Sequence, residues 1–472
     1  MAIKIDKTLL QDINNPSLEI LASCIKRHQT EVPRLEKLSK YYDGEHAIKN
    51  RDKTSKEKLA NVMINNAKYV TDMNVGFTFG NPIAYTPGND GDIDEVLNAF
   101  EELGIKKHDR EVGKDLSVYG LGLELHYLST DSEEVTPKIE CIDPRGMFLV
   151  TDDSIESVPL FAVRYYETLD IDGKPNGWKI EVYTSNKTII YKAKDLTLKD
   201  TAVLEDKIHF YNAVPVVEFR NNEEKQGDFE QAISLIDAYN SLQSDRINDK
   251  EAFIDAILVL YGFTLDEMTA PEGNGDIVIN APSKQDGADV GYLTKTFNET
   301  DVQVLSKSIE KDIHKVTYTP NLNDENFAGN ISGEAMKYKL FGLLQLLVTK
   351  TGYYEDGVKK RLKLMENILK RQGKKVEVKG TKVNFKPNLP INKKDVIEMI
   401  RDSLDFVPLA ISLGWLDDID DPEEVIDMLH EQVEGDIERN KKAFGEQSHS
   451  ELDDVPDDEG AKEDDYSEVQ TK

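Results

Sequence analysis

The sequence predicts an α+β fold that is mainly helical. Three observations predict it. Long stretches repeat their apolar residues every three or four positions. One block, 137–220, repeats them every second position. A short block rich in Gly, Pro and Asp, 263–299, interrupts two of the helical stretches. At 472 residues the chain can bury a sizeable core and hold more than one domain.

Residues 7–42 and 54–76 read as helices, the second from Leu59, Val62, Met63, Ala67 and Val70. The breakers in TFGNPIAYTPGND (78–90) make an irregular link. A helical stretch resumes at 92–128 and gives way to an apolar run, YGLGLELHYL. From 137 to 220 the runs IECIDPRGMFLV, LFAVRYYETL, GWKIEVYTSN, KTIIYKAKD and VPVVEFRNN, separated by turn residues, predict an antiparallel meander. Within it, Asp170, Asp172 and Glu181 occupy positions 1, 3 and 12 of a calcium loop. Lys174 and Pro175 stand where that loop needs a ligand and a Gly, so DIDGKPNGW (170–178) reads as a hairpin turn.

The helical period returns at 226. Ile233, Ile236, Tyr239 and Leu242 form one stripe, continued by Ile247, Phe253, Ile254, Ile257 and Leu258. Residues 263–299, with β-type pieces GDIVINA and VGYLTKTF, form a small separate module. Helix resumes over 300–318, with Val302, Leu305, Ile309, Ile313 and Val316 on one face, and Pro320 stops it. Thirteen polar, small, unpatterned residues follow, Asn321 to Gly333. Helix–helix links usually run about 2–8 residues, so a longer one suggests a task of its own. Ser332 is a good N-cap and Glu334 complements the next helix dipole. That helix runs from 333 through MKYKLFGLLQLLVTK and on through YYEDGVKKRLKLMENILKRQG, with Gly342, Gly352 and Gly357 as candidate bends. A strand, KVNFKPN (382–388), precedes two or three helices reaching about residue 444. Residues 446–472 hold eleven acids against Lys462 and Lys472, lack periodicity, and read as a disordered acidic tail.

The formal net charge is −31. A protein that grips phosphates over a broad face concentrates Lys and Arg, so this balance argues against that class. It is compatible with a wall that DNA passes without sticking. Cys24 and Cys141 cannot build a disulfide framework, and no CxxC suggests zinc. The start, MAIKIDKTLLQDI, has no apolar core of a signal peptide, and the longest apolar run, near AILVLYGF, is too short to span a bilayer. No phosphate-binding loop, dinucleotide fingerprint, HExxH or GxSxG occurs. No two of the eight histidines stand at ligand spacing, and His314 reads as a solvated or interface residue. Asp417, Asp418, Asp420 and Asp421 read as capping the helix that follows Pro422, rather than as a metal cluster. No catalytic residue, metal site or cofactor is expected.

Two helices flanking the module 263–299 would run antiparallel with the module at their tip, and the loop would sit at the other end of the second helix. YYDGEHAIKNR (41–51), VTDMNVGFTFGNPIAY (70–85), VPVVEFRNN (214–222), GDFEQAISLIDAYNSLQSDRINDKEAF (227–253) and NDENFAGNISGEAMKYKLFGL (323–343) resemble portal proteins of tailed double-stranded DNA phages, specifically those of long-tailed phages of Gram-positive bacteria. The similarity runs from about residue 30 to about 440.

The resemblance implies a cyclic ring of about twelve subunits around a central tunnel, at one capsid vertex of the virion and in the host cytoplasm during assembly. Residues 1–225 would be wing, 226–262 the helix leading into the stem, 263–299 a small α/β clip and 300–320 a stem helix. Residues 321–333 would be the tunnel loop, 334–386 the long helix and the return strand to the wing, and 387–445 a helical crown; no role is implied for 446–472. The implied partners are other copies of the chain, double-stranded DNA passing without sequence-specific contacts, terminase, the major capsid and scaffolding proteins, and the head–tail adaptor, with no membrane. Asn323, Asp324, Glu325, Asn326, Phe327, Asn330 and Ser332 would approach the DNA, and Lys284 and Asp286 would lie on the clip's partner surface. Out and back, thirteen residues reach roughly 20 Å. Two other readings stay open: a phage-derived DNA-processing enzyme, and a non-viral scaffold bearing a helical hairpin.

Overall fold

The computed structural model describes residues 2–51, 60–129, 135–254, 257–261, 289–293, 299–322, 338–389, 393–416, 419 and 422–444. The chain divides into two compact units, Met1–Leu389 and Pro390–Lys472.

The first unit opens with strand β1 (Ile3–Ile5), then α1 (Leu18–Gln29) and α2 (Val32–Tyr42). The single helix expected over 7–42 is therefore replaced by a strand and two helices. Ser17 caps α1, accepting from the Ile20 N–H, and Pro33 opens α2. A proline is tolerated in the first turn, where its missing N–H leaves nothing unpaired, but not within a helix.

The next helix, α3 (Asn66–Phe79), begins later than expected. Residues 60–64 are extended because another helix, α6 (Ile233–Ile254), takes their backbone N–H groups. Ala60, Val62 and Ile64 donate to Asn248 Oδ1, Ser244 Oγ and Asn240 Oδ1 at 2.6, 2.9 and 2.9 Å. Two extended residues advance about 6.6 Å and four helical residues about 6 Å, so the two repeats match.

Strand β2 (Ala84–Thr86), α4 (Asp94–Glu102) and α5 (Ile105–Tyr119) follow. Of the β-rich block, β5 (Met147–Asp152), β6 (Pro159–Leu169), β7 (Pro175–Tyr183), β8 (Lys187–Ala193) and β9 (Thr201–Ile208) form the expected meander, and β1 joins its first edge in parallel. The remaining strands leave it: β10 (Val216–Arg220) and β4 (Thr136–Ile142) flank β3 (Leu121–Ser129) in a three-stranded sheet. The turn after β6 is the expected hairpin. Asp170 Oδ1 accepts from the backbone of Asp172 and Lys174, while Glu181 is engaged by Arg164 and Tyr183.

The stripe expected to extend α6 through Leu258 ends at Ile254. Ile257–Tyr261 is strand β11, paired antiparallel with β12 (Asp289–Leu293). Packed on α6 is α7 (Glu299–Val316), and Gln243 on the first donates to Ser306 on the second at 2.7 Å. Of the stripe expected on α7, Ile313 is buried, while Leu305 and Val316 are exposed; Ser306 and the following Thr317 are buried in addition.

The longest described helix, α8 (Phe341–Arg371), starts after an interruption at Leu340, and β13 (Lys382–Asn384) then pairs with β2. It passes the candidate bends Gly352 and Gly357 as one continuous helix. Gly357 serves packing: a Cβ there would stand 2.3 Å from the Phe219 ring on β10. Tyr354, Val358, Leu362 and Met365 of α8 bury against Phe79, Phe100, Val112 and Phe219, which makes α8 the centre of the largest core cluster.

The second unit holds α9 (Lys393–Ser403), α10 (Leu409–Leu413) and α11 (Pro422–Phe444) among its described residues. Asp417, Asp418, Asp420 and Asp421 lie outside the described residues; Glu423 and Glu424 stand in the first turn of α11.

Candidate functional site

The residues expected to approach DNA, Asn323, Asp324, Glu325, Asn326, Phe327, Asn330 and Ser332, and the clip residues Lys284 and Asp286, all lie outside the described residues. The structure does describe the chain that leads into the first of these segments. At the end of α7 the backbone folds back on itself. Thr317 and Thr319 donate to Ile313 and His314, and Tyr318 takes a left-handed φ of 55°. His314 Nδ1 lies 3.0 Å from the Thr319 carbonyl, so it carries the proton and donates.

This turn is held from outside by α3. The Tyr69 hydroxyl donates to the Pro320 carbonyl at 2.9 Å, and its ring meets His314 edge-on at 5.7 Å. Asn74 Nδ2 donates to Thr319 Oγ1 at 3.3 Å, in the protein interior. Asn321 Nδ2 donates to Glu310 Oε1 at 2.9 Å. His314 is thus a partly buried structural residue packed between helices. On the other side of the segment, Leu343 and Leu347 of α8 bury against Phe77 of α3. One helix therefore fixes both flanks of the loop expected at 321–333.

A second polar cluster fastens α8 to the sheet-bearing core. Arg361 lies fully buried and donates to Glu124 on β3 and Asp109 on α5. His108 and His126 each donate from Nε2 to Glu124 at 2.8 Å, and Tyr354 donates to Asp109 at 2.7 Å. Burial raises the Glu124 carboxyl, but the Arg361 guanidinium and the two imidazoles outweigh it and hold the group well below the ordinary carboxylate range. Burial lowers His126, against the pull of Glu124. The Tyr354 phenol is raised well above its usual value, first by burial and then by Asp109.

Sequence spacing does not bring these residues together. Arg361 stands 237 and 252 positions from its partners. The local signal is Glu124 and His126 inside the apolar run LGLELHYL, two polar residues on one face of a strand. Among the described residues no group of three or more His, Cys, Asp or Glu is placed to hold a metal ion, and no helix is long and apolar enough to cross a membrane. The clasp has every charge answered by another, as a structural network does.

Comparison with known proteins defines the class first: a structural component of phage particles, not an enzyme family. Residues 21–439 match the model of the family described as phage portal protein, SPP1 Gp6-like, and the chain belongs to that family. It is 22% identical over 398 residues to a portal protein of Clostridium phage phiCD119, covering 80% of this chain and 87% of that protein. It is 23% identical over 372 residues to a portal protein of Bacillus phage SPP1, covering 71% of this chain and 69% of that one. Among solved structures it is similar to a chain of the virion of a native gene transfer agent particle. There the TM-score is 0.38 and the identity 10%, with 80% of this chain and 91% of the other covered. A chain of the neck of the empty particle gives 0.38 and 10%, with 73% and 86% covered.

Proposed function

We propose that this chain is the subunit of a portal ring of about twelve copies at one capsid vertex, through which double-stranded DNA is packaged, retained and later ejected. The observation that carries the reading is the family match over residues 21–439. On this reading 1–225 is wing, 226–262 and 300–320 are stem, 263–299 is clip, 321–333 is the tunnel loop, 334–386 is the long helix with its return strand, and 387–445 is crown. Asn323, Asp324, Glu325, Asn326, Phe327, Asn330 and Ser332 approach the duplex. Lys284 and Asp286 lie on the surface that meets terminase and the head–tail adaptor, and the major capsid and scaffolding proteins meet the ring elsewhere.

The geometry supports the reading in two ways. The packed pair α6 and α7 carries β11 and β12 at one end. At the other end of α7 the chain is pinned by Tyr69 and Asn74 just before the loop. A loop that touches a moving polymer needs a fixed base. The acidic balance of the chain suits a wall that repels phosphate and lets DNA slide.

Negative-stain microscopy of the purified protein tests the assembly: rings with a central hole are expected, and only monomers or open fibres would overturn it. Deleting Asp324–Ala328 should leave rings intact and lower DNA packaging or retention. Replacing Asp324 and Glu325 by Lys should slow transit, less so as salt rises. Normal packaging by both variants, in rings seen by microscopy, would remove the case for the loop. Nuclease or ATPase activity in the pure protein would favour a DNA-processing enzyme instead.

A further inference from the structure

Two isoleucines stand fully exposed at turns of the meander. Ile171 tops the hairpin between β6 and β7, with Leu169 beside it 61% exposed, and Ile155 sits in the turn between β5 and β6. The Ile171 turn is braced: Asp170 Oδ1 accepts from the backbone N–H groups of Asp172 and Lys174. That ties Asp170 into the turn. The side chains of Asp172 and Lys174 make no hydrogen bond or ion pair among the described residues. A single exposed apolar residue needs no partner. Here, however, the same chain carries a cleft of matching chemistry.

The cleft, of about 1060 Å³, opens between one face of β8 and β9 and a wall made by β3, β4 and the end of α8. Tyr127, Val135, Ile190, Ile208 and Ile368 line it, and Ile208 is 66% exposed. Phe210 lines it too, turned outward by a left-handed φ of 62° while the next residue, Tyr211, is fully buried. Backbone strain of this kind gathers where a segment meets a ligand. Drug-sized ligands fill about 300–1,000 Å³, so a cleft this large suits a polypeptide turn. Of its charges, Arg164 is paired with Glu181 and Lys207 with Glu205. Arg371, stacked 4.7 Å from the Phe210 ring, and Glu140 are left without an ion pair among the described residues.

We propose that the Ile171 turn of one copy docks in this cleft of the next copy. The proposal rests on the portal reading and names the faces by which neighbouring copies meet. Strand β7 has the turn at its first residue, Pro175, and the cleft at its last, Tyr183, so the two lie roughly 26 Å apart. The turn therefore cannot fill the cleft of its own chain. Plug and socket at opposite ends of one sheet make a head-to-tail contact, the kind a closed ring requires. Ile171 and Leu169 bury apolar surface against the cleft walls. Asp172 answers Arg371 and Lys174 answers Glu140, and these charges set the orientation. Ile155 lies at the cleft's own end of the sheet and takes no part.

The test uses the full chain. Ile171→Cys and Ile208→Cys are made singly and together, and each protein is treated with a short bis-maleimide and run on a denaturing gel beside the parent. The double variant should give a ladder of linked chains, and each single variant no more linkage than the parent. Ile171→Asp should raise the subunit concentration at which rings dissociate by at least about ten-fold, while Ile155→Asp leaves it unchanged. Arg371→Glu should also weaken the rings, and adding Asp172→Lys should restore them. Three results would overturn the docking. The double variant gives no ladder, as when the turn meets a different protein. Ile171→Cys alone gives linked dimers, which would mean that turn meets turn. Or Ile155→Asp weakens the rings as much as Ile171→Asp does. Failure of the parent to form rings under the microscope would instead count against the portal reading. The ladder in that same protein would still decide the docking, because a head-to-tail contact also builds open chains.

Discussion

Arg361 on α8 and Glu124 on β3 form a forked ion pair with no solvent exposure on either side chain. Nε and Nη2 of the arginine reach Glu124 Oε2 at 2.9 and 2.6 Å, while Nη1 turns to Asp109 at 2.7 Å. Removing one partner of such a pair strands the other charge in the core. Arg361→Met should therefore destabilise the protein by about 3–5 kcal/mol. Arg361→Lys should recover little, because an ammonium cannot make the fork. Urea unfolding of both variants checks this; a loss below about 1 kcal/mol for the Met variant would show that the clasp does not hold α8.

Gly357→Ala tests how closely α8 approaches β10. The new methyl would stand 2.3 Å from the Phe219 ring, which is fully buried and cannot swing away. Overpacking of this kind costs about 1–3 kcal/mol. Combining it with Phe219→Leu should cost less than the sum of the two single changes, because the clash is shared. Strict additivity would show that the helix moves instead.

Ser244→Ala probes the match between α6 and the extended segment 60–64. The Ser244 hydroxyl accepts from the Val62 N–H at 2.9 Å. Without it that donor is left unpaired against the helix, at a cost of about 1–2 kcal/mol. Amide hydrogen exchange at Val62 should quicken by a larger factor than at residues within the meander. Equal protection in both proteins would contradict the assignment.

His28 gives a pH dependence. It is buried, with Nε2 donating to the Pro144 carbonyl at 3.0 Å and Nδ1 accepting from the Tyr165 hydroxyl at 2.8 Å. Burial lowers its pKa from 6.5 to about 4. Between those values the unfolded chain binds a proton that the folded one refuses. The contribution of His28 is therefore fully present above pH 6.5 and is lost as pH falls towards 4, by roughly 3 kcal/mol. His28→Gln should flatten the fall in stability across that window. An equally steep fall in the variant would place its source elsewhere.

The sequence by itself determined the elements whose signals are local. The two-residue period gave the meander strands β5 to β8 but not the exposed edge strand β9, and DIDGKPNGW gave its hairpin, because turn residues and alternation act over a few positions. Pro320 marked where α7 must stop, and the quoted motifs carried the family resemblance that the match over 21–439 bears out. The tertiary structure alone decided what depends on a distant partner. Residues 60–64 have helical periodicity, yet they are extended, because Asn240, Ser244 and Asn248 offer their backbone better-placed acceptors. Ile257 and Leu258 continue a helical stripe, yet they form a strand, because β12 supplies the ladder. Glu124, Asp109 and Arg361 look like three charges among many, and only the packing of α8 across β3 and α5 turns them into one buried network. Periodicity records which face of an element is apolar. It does not record which element will cover that face, nor which polar group the cover will bring.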